Sequence, residues 1–402
     1  MDRHARNTLS IGSFQVECGA VLPEVTVAYE TWGTLSPERD NVVLVCHALT
    51  GDARAARTPD GPGWWEGLIG PGRYIDTNRY FVIASNVLGG CYGTTGPSST
   101  NPATGKPYGS AFPPVTIRDM VRVQARLLDA LGIDRVLAVI GGSMGGMQVL
   151  EWGVMYPDRV GRLIPMATAA YLSATAIAYN DIGRQAILAD PNWRGGDYYP
   201  GPGPEKGLAI ARMVGMVTYR SVALFDERFG RSVRNGKAIH DPDVLFEVES
   251  YLRYQGEKLV RRFDANTYLL LLRAMDTHDI GRGRGGLDAA LSRITRRCSL
   301  WGLRKIFSIR PPICATWRRG CAGWARTRVW WKFPRPTATT GFSSSSTKSV
   351  PMCAHFSLKR MWWRRKRPHA KWCEALLRAQ RPDGSGTRYG KGRMCFAVGE
   401  AP

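Results

Sequence analysis

Residues 136–148, VLAVIGGSMGGMQ, set Ser143 between paired glycines, where an apolar, β-branched run ends and a helical pattern begins. Such a sequence commits the stretch to a strand, a tight corner and a helix folding back over the sheet. In the pattern G-x-S-x-G (Gly141, Gly142, Ser143, Met144, Gly145), the small neighbours let backbone segments approach closely and leave the serine side chain projecting above the sheet. The first N–H groups of the helix then face any negative charge that develops at the serine. A Gly-rich turn without chemistry carries the same bare signature. The doubled glycines and the strand-to-helix context favour a serine nucleophile.

The rest of the chain divides near Thr295. The formal charge of +22 would ordinarily point to nucleic acid or an anionic membrane surface. Its distribution points elsewhere: residues 1–295 hold 31 Lys and Arg against 30 Asp and Glu, whereas residues 296–402 hold 24 against three, Glu374, Asp383 and Glu400. The same tail carries eight of the thirteen Trp and six of the nine Cys. No ordinary folded domain has this composition.

Before Thr295 the pattern is that of one α/β unit with an insertion. Val42–Cys46 and residues 80–85 are short apolar runs. Thr116 and Asp119 have capping-box spacing ahead of an amphipathic helix over 120–131, which Gly132 closes. A strand over 136–140, the corner, a helix over 146–155 and an apolar run over 163–167 follow. Strands alternating with helices predict a mostly parallel sheet covered on both faces. From about Tyr171 to Ile280 the segments turn helical and aromatic-rich, as an inserted lid would. The expected organisation is a core over 1–170, a helical lid over 171–285, a return to the core over 286–295 and an aberrant basic tail over 296–402. No charged start with an apolar segment precedes Ile11 and no run has the length of a membrane span, so a cytoplasmic protein without membrane contact is expected. Cys18, Cys46 and Cys91 are too scattered for a disulfide framework, and the tail cysteines lack C-x-x-C spacing; all read as free thiols, with no metal expected.

At HALTG (47–51), NVLGGCYGTTGPSSTNPATGKPYG (86–109), GGSMGGMQ (141–148), TYRS (218–221) and AMDTHDIGRGRGG (274–286), the chain closely resembles the homoserine O-acetyltransferases of the α/β-hydrolase superfamily, over roughly residues 8–295. The resemblance implies an α/β-hydrolase fold with a helical lid. It makes Ser143 the nucleophile that takes an acetyl group from acetyl-CoA, a co-substrate and not a bound cofactor, and passes it to the hydroxyl of L-homoserine in a ping-pong cycle serving methionine synthesis. The Leu49 and Met144 N–H groups become the oxyanion donors. Arg220, in TYRS, becomes the cation that grips the homoserine carboxylate, for which a guanidinium fork is suited. Family lids pair, which implies a homodimer. Homoserine O-succinyltransferase and an esterase-type hydrolase are the alternatives, the latter disfavoured by Arg220 and by TGPSSTNP.

Other candidates are weaker on the residues themselves. Cys46 and His47 are neighbours on a strand and point to opposite faces, which speaks against a dyad. Cys91 sits in a Gly-rich loop without a base in sequence reach. His278, in MDTHD, reads as a hydrogen-bonding residue at a helix end or in the lid rather than a chemical group.

A serine nucleophile needs a histidine and an orienting carboxylate, which in this superfamily follow the serine in the chain. The family's strings of the type SD-x-L-F-x-P and YGHDGF are absent after Thr295, and the tail's histidines, His355 and His369, lack a glycine-flanked turn. The genetic code offers an account. If each codon's last base is joined to the first two bases of the next, residues 335–349 permit P-Y-G-H-D-G-F-L-I-E-F-D-E-V, and residues 295–311 permit A-P-V-L-V-V-G-I-E-K-D-L-L-Y-P-P. Both are close to what the family would supply, in one continuous register. The expectation is therefore a one-base frame slip near Thr295, with Ile306 and Thr339 standing where the acid and the histidine belong, and with the catalytic pair missing from this chain. A basic tail that contacts RNA or DNA is the rival reading, and it is disfavoured.

Overall fold

The computed structural model describes residues 4–294 and 297–298. A seven-stranded sheet runs through it: β1 (His4–Ser10), β2 (Thr26–Trp32), β3 (Val42–Cys46), β4 (Phe81–Ser85), β5 (Ala138–Gly142), β6 (Arg162–Met166) and β7 (Arg297–Cys298), in spatial order β1-β2-β4-β3-β5-β6-β7. From β4 to β7 every pairing is parallel. β1 on β2 and β2 on β4 are antiparallel. The sheet is thus mostly parallel, as the alternation of patterns requires, and its antiparallel edge comes from two seven-residue N-terminal strands, HARNTLS and TVAYETW, that carry no strong periodicity.

β3 is buried along its whole length, VVLVC, as a central strand covered on both faces must be. α1 (Ile117–Ala130) starts on a complete Thr116/Asp119 capping box, and Gly132 ends it at φ +67°. α2 (Met144–Met155) begins two residues earlier than the helical pattern suggested, because the corner takes a single residue, Ser143. α1 and α2 pack together on the sheet through the fully buried Gln124, Gln148 and Trp152.

After β6 the chain leaves the sheet for a run of helices: α3 (Ala174–Leu188), α4 (Glu205–Thr218), α5 (Val222–Phe229), α6 (Glu247–Val260) and α7 (Ala265–Asp276). It returns through α8 (Leu287–Ser292) to β7 beside β6. The helical layer is held internally by the buried Arg184–Asp276 ion pair between α3 and α7, with Asn180 Nδ2 donating to the same carboxylate at 2.8 Å. The reading of residues 296–402 as an aberrant tail lies outside the described residues, apart from the two residues of β7. Among the described residues no single helix is long and apolar enough to cross a membrane, and no cluster of three His, Cys, Asp or Glu could hold a metal ion.

Candidate active site

Ser143 is the single residue between β5 and α2, at φ 55° and ψ −121°. An L-residue enters this region only when its surroundings force it there, at a cost of about 1–3 kcal/mol. The forcing contacts are visible. Ser143 N–H donates to Met166 O at 3.0 Å, and its C=O accepts from Met147 N–H at 3.1 Å and Thr168 Oγ1 at 2.9 Å. Two glycines make room for the corner: a Cβ on Gly145 would lie 2.1 Å from Cys46 O, and one on Gly141 would lie 2.6 Å from Gly145 C. The first turn of α2 therefore touches the end of β3 with nothing between, which only glycine permits.

That contact sets the first turn of α2, which carries Met144, against the start of the loop that carries Leu49. Met144 is the first residue of α2, so its N–H has no partner within the helix. Leu49 lies two residues beyond His47 on the loop that Gly145 touches. Among the described residues neither N–H makes a hydrogen bond. Backbone donors left unspent in this way are the kind of group that can stabilise the oxyanion of a tetrahedral intermediate.

The loop is fixed by His47, which is 1% exposed. Val87 N–H can only donate, and it reaches Nε2 at 3.1 Å, as does Asn86 Nδ2. Nε2 therefore carries the lone pair and Nδ1 the proton, which it gives to Ala48 O at 2.7 Å. Burial holds the imidazole well below its ordinary pKa. His47 is a neutral, fully bonded scaffold residue and no base. Its anchors Asn86 and Val87 open the NVLGGC segment, so that motif serves the loop's shape.

Cys46 Sγ faces Gln124 Oε1 at 3.9 Å, and burial pushes its thiol up to about 12; both ring nitrogens of His47 are taken by Ala48, Asn86 and Val87, so no dyad forms. Burial likewise raises the Cys91 thiol to about 12. Cys18, Cys46 and Cys91 are free, as their scatter suggested. Arg220, in the turn between α4 and α5, donates to the Tyr251 hydroxyl of α6 and sits 5.2 Å from the centre of that ring.

His278 departs from its expectation as a hydrogen-bonding residue. It is 4% exposed, its ring lies against the Ala169 backbone, and neither nitrogen makes a hydrogen bond of normal geometry. Burial first, and then Arg118, Arg284 and Arg282, push its pKa down to about 3. Among the described residues no histidine bonds Ser143 Oγ. His355, His369, Ile306 and Thr339 lie outside those residues.

The GRGRGG stretch has a structural role that its sequence alone does not disclose. Glu151 of α2, buried at 1% side-chain exposure, receives Arg284 at 2.7 Å and Arg118 of α1 at 3.3 Å. Arg118 also donates to Asp279 O and Arg282 O, and Arg282 pairs with Glu17 at 3.0 Å. The returning chain is thus clamped to the helix behind Ser143.

The α/β hydrolase fold family model matches residues 41–278. A homoserine O-acetyltransferase of Carboxydothermus hydrogenoformans is 56% identical over 276 residues, covering 67% of this chain and 73% of that one. The chain belongs to the homoserine O-acetyltransferase family. Solved structures agree with membership of that family: homoserine O-acetyltransferase from Bacillus anthracis superposes with a TM-score of 0.76 at 30% identity, covering 81% of this chain and 90% of that one. Esterase E22 is similar too, at a TM-score of 0.74 and 31% identity over 82% and 93% of the two chains. The homoserine O-acetyltransferase architecture is therefore shared with an ester hydrolase.

Proposed function

We propose that this chain carries the acyl-transfer site of a homoserine O-acetyltransferase, with Ser143 attacking the thioester carbonyl of acetyl-CoA and the acetyl-enzyme then being attacked by the L-homoserine hydroxyl. The observation that carries the reading is the Ser143 corner with the unspent Leu49 and Met144 N–H groups beside it, in a chain 56% identical to a homoserine O-acetyltransferase. In the first half-reaction the serine oxygen bonds to the carbonyl carbon, the oxyanion is held by the two N–H groups, and the C–S bond breaks to release CoA. In the second the homoserine hydroxyl oxygen bonds to the acetyl carbonyl carbon, the Ser143 O–C bond breaks, and the proton lost by the homoserine hydroxyl returns to the serine oxygen. Arg220 is assigned to the homoserine carboxylate, a role that its Tyr251 contact supports by fixing the guanidinium.

Both half-reactions need a base, and the second part of the proposal is that this chain lacks it. The family's acid and histidine are encoded one base out of frame after Thr295, so that the chain as written turns over on the order of 10⁴–10⁶-fold more slowly than its frame-restored form. The test expresses both forms and follows CoA release with acetyl-CoA and homoserine, with succinyl-CoA as the competing donor. Recovery of turnover only in the restored form supports the reading. Equal, rapid turnover by the chain as written refutes the missing-base part, and rapid CoA release without homoserine favours hydrolysis, the reading to which the likeness to esterase E22 lends weight.

A further inference from the structure

The two oxyanion donors belong to separate pieces of chain, the loop after β3 and the first turn of α2, and their spacing has to be held by something. One buried side chain touches both pieces. Gln148 Nε2 donates to His47 O at 3.4 Å and to Met144 O at 3.3 Å. Its Oε1 accepts from Gln124 Nε2 at 2.7 Å, and Gln124 Oε1 accepts from Trp152 Nε1 at 2.8 Å. All three side chains are at most 1% exposed. An indole N–H can only donate, so it fixes the oxygen of Gln124 toward Trp152 and its NH₂ toward Gln148. Gln148 must then present oxygen to Gln124 and its two N–H groups to the two carbonyls. The polarity of the chain leaves neither amide free to flip.

We propose that Gln148 is the positioning residue of the oxyanion hole, setting the separation of the Leu49 and Met144 N–H groups by tying the carbonyls of His47 and Met144 to one amide. The proposal rests on Ser143 being the nucleophile and on those N–H groups being its donors. An apolar replacement leaves the helix and the core volume in place but lets the 47–50 loop drift. A drift of that kind weakens binding of the oxyanion and not of the ground-state ester, since the donors are aimed at charge that develops later.

Hydrolysis of p-nitrophenyl acetate by the frame-restored chain, in which the base is supplied, reads this out without acetyl-CoA or homoserine; every variant is made in that form, with Ser143→Ala as the floor. Gln148→Met is expected to lower kcat about tenfold or more toward that floor while KM stays within about twofold. Gln148→Glu distinguishes positioning from packing: its carboxyl can donate to a carbonyl only when protonated, so its turnover relative to Gln148→Met rises between pH 7 and pH 5. An unchanged kcat in Gln148→Met, or a pH profile for Gln148→Glu that parallels that of Gln148→Met, overturns the proposal. If Ser143→Ala hydrolyses the ester as fast as the frame-restored chain without substitution, the nucleophile reading fails instead. Hydrogen exchange over residues 44–54 then decides the matter: faster exchange in Gln148→Met supports the tie between loop and helix, and unchanged exchange overturns it.

Discussion

His278 shows what one buried side chain does to the acid behaviour of the whole protein. Its imidazole is neutral in the folded state, with a pKa of about 3 set by burial and by Arg118, Arg284 and Arg282. In the unfolded chain it titrates near 6.5. Below that pH the unfolded state binds a proton that the folded state refuses, so stability falls as pH drops through about 6.5 and the loss stops growing near 3. Between pH 7 and pH 5 this one group costs about 2 kcal/mol. Urea unfolding of wild type and His278→Leu at the two pH values is expected to show a steeper acid loss in wild type by about that amount; parallel losses would mean that His278 is protonated in the fold. His47, also depressed by burial, adds to the acid loss of both proteins and cancels in the comparison.

Among elements, the contact that matters most to the site is the one behind it, where Glu151 of α2 meets Arg118 of α1 and Arg284 of the returning chain. Burial raises the Glu151 carboxyl above its ordinary range although both guanidinium groups oppose the rise. Taking one charge out of a buried cluster leaves the others uncompensated, so Glu151→Gln is expected to lose about 3 kcal/mol in urea unfolding, and more than Arg57→Gln, which removes an exposed ion pair with Glu66. The corner at Ser143, the capping box of α1 and the buried β3 were all legible in sequence because each is local: a turn that only glycine allows, a cap three residues long, an unbroken β-branched run. Gln148, Arg284 and His47 were present in the quoted motifs without a readable role. Their partners lie 101, 133 and 40 residues away, across hydrogen bonds that only the folded molecule creates. The antiparallel β1 and β2 were missed for a similar reason, since each is defined by the strand it pairs with more than by its own period.

At the scale of the whole molecule two expectations concern surfaces the described residues leave open. Ile210 and Val217, seven residues apart on α4, and Tyr254 on α6 are 48%, 44% and 56% exposed, an apolar lid surface that fits the expected homodimer. Light scattering of wild type against Val217→Asp is expected to show a dimer converted to monomer, and a monomeric wild type would remove the dimer reading. The second concerns the edge of the sheet. Among the described residues β6 is paired by β7 only at Arg162↔Arg297 and Leu163↔Cys298. The sequence written after Thr295 is R-R-C-S-L-W-G, with a charged pair at its start, whereas the shifted frame permits A-P-V-L-V-V-G, an apolar β-branched run of the kind that buried parallel strands require. The frame-restored chain should extend this pairing, bury more apolar surface on folding and lose most of the positive charge of residues 296–402. Urea unfolding is then expected to show a higher midpoint and a larger m-value for the restored chain, because m follows the surface exposed on unfolding. Its retention on a DNA or heparin column at physiological salt should fall at the same time, since that binding depends on phosphate or sulfate neutralisation by the excess cations. A restored chain that unfolds with the same midpoint and the same m-value would show that the shifted reading adds nothing to the fold, and the frame-slip account of residues 296–402 would fall with it.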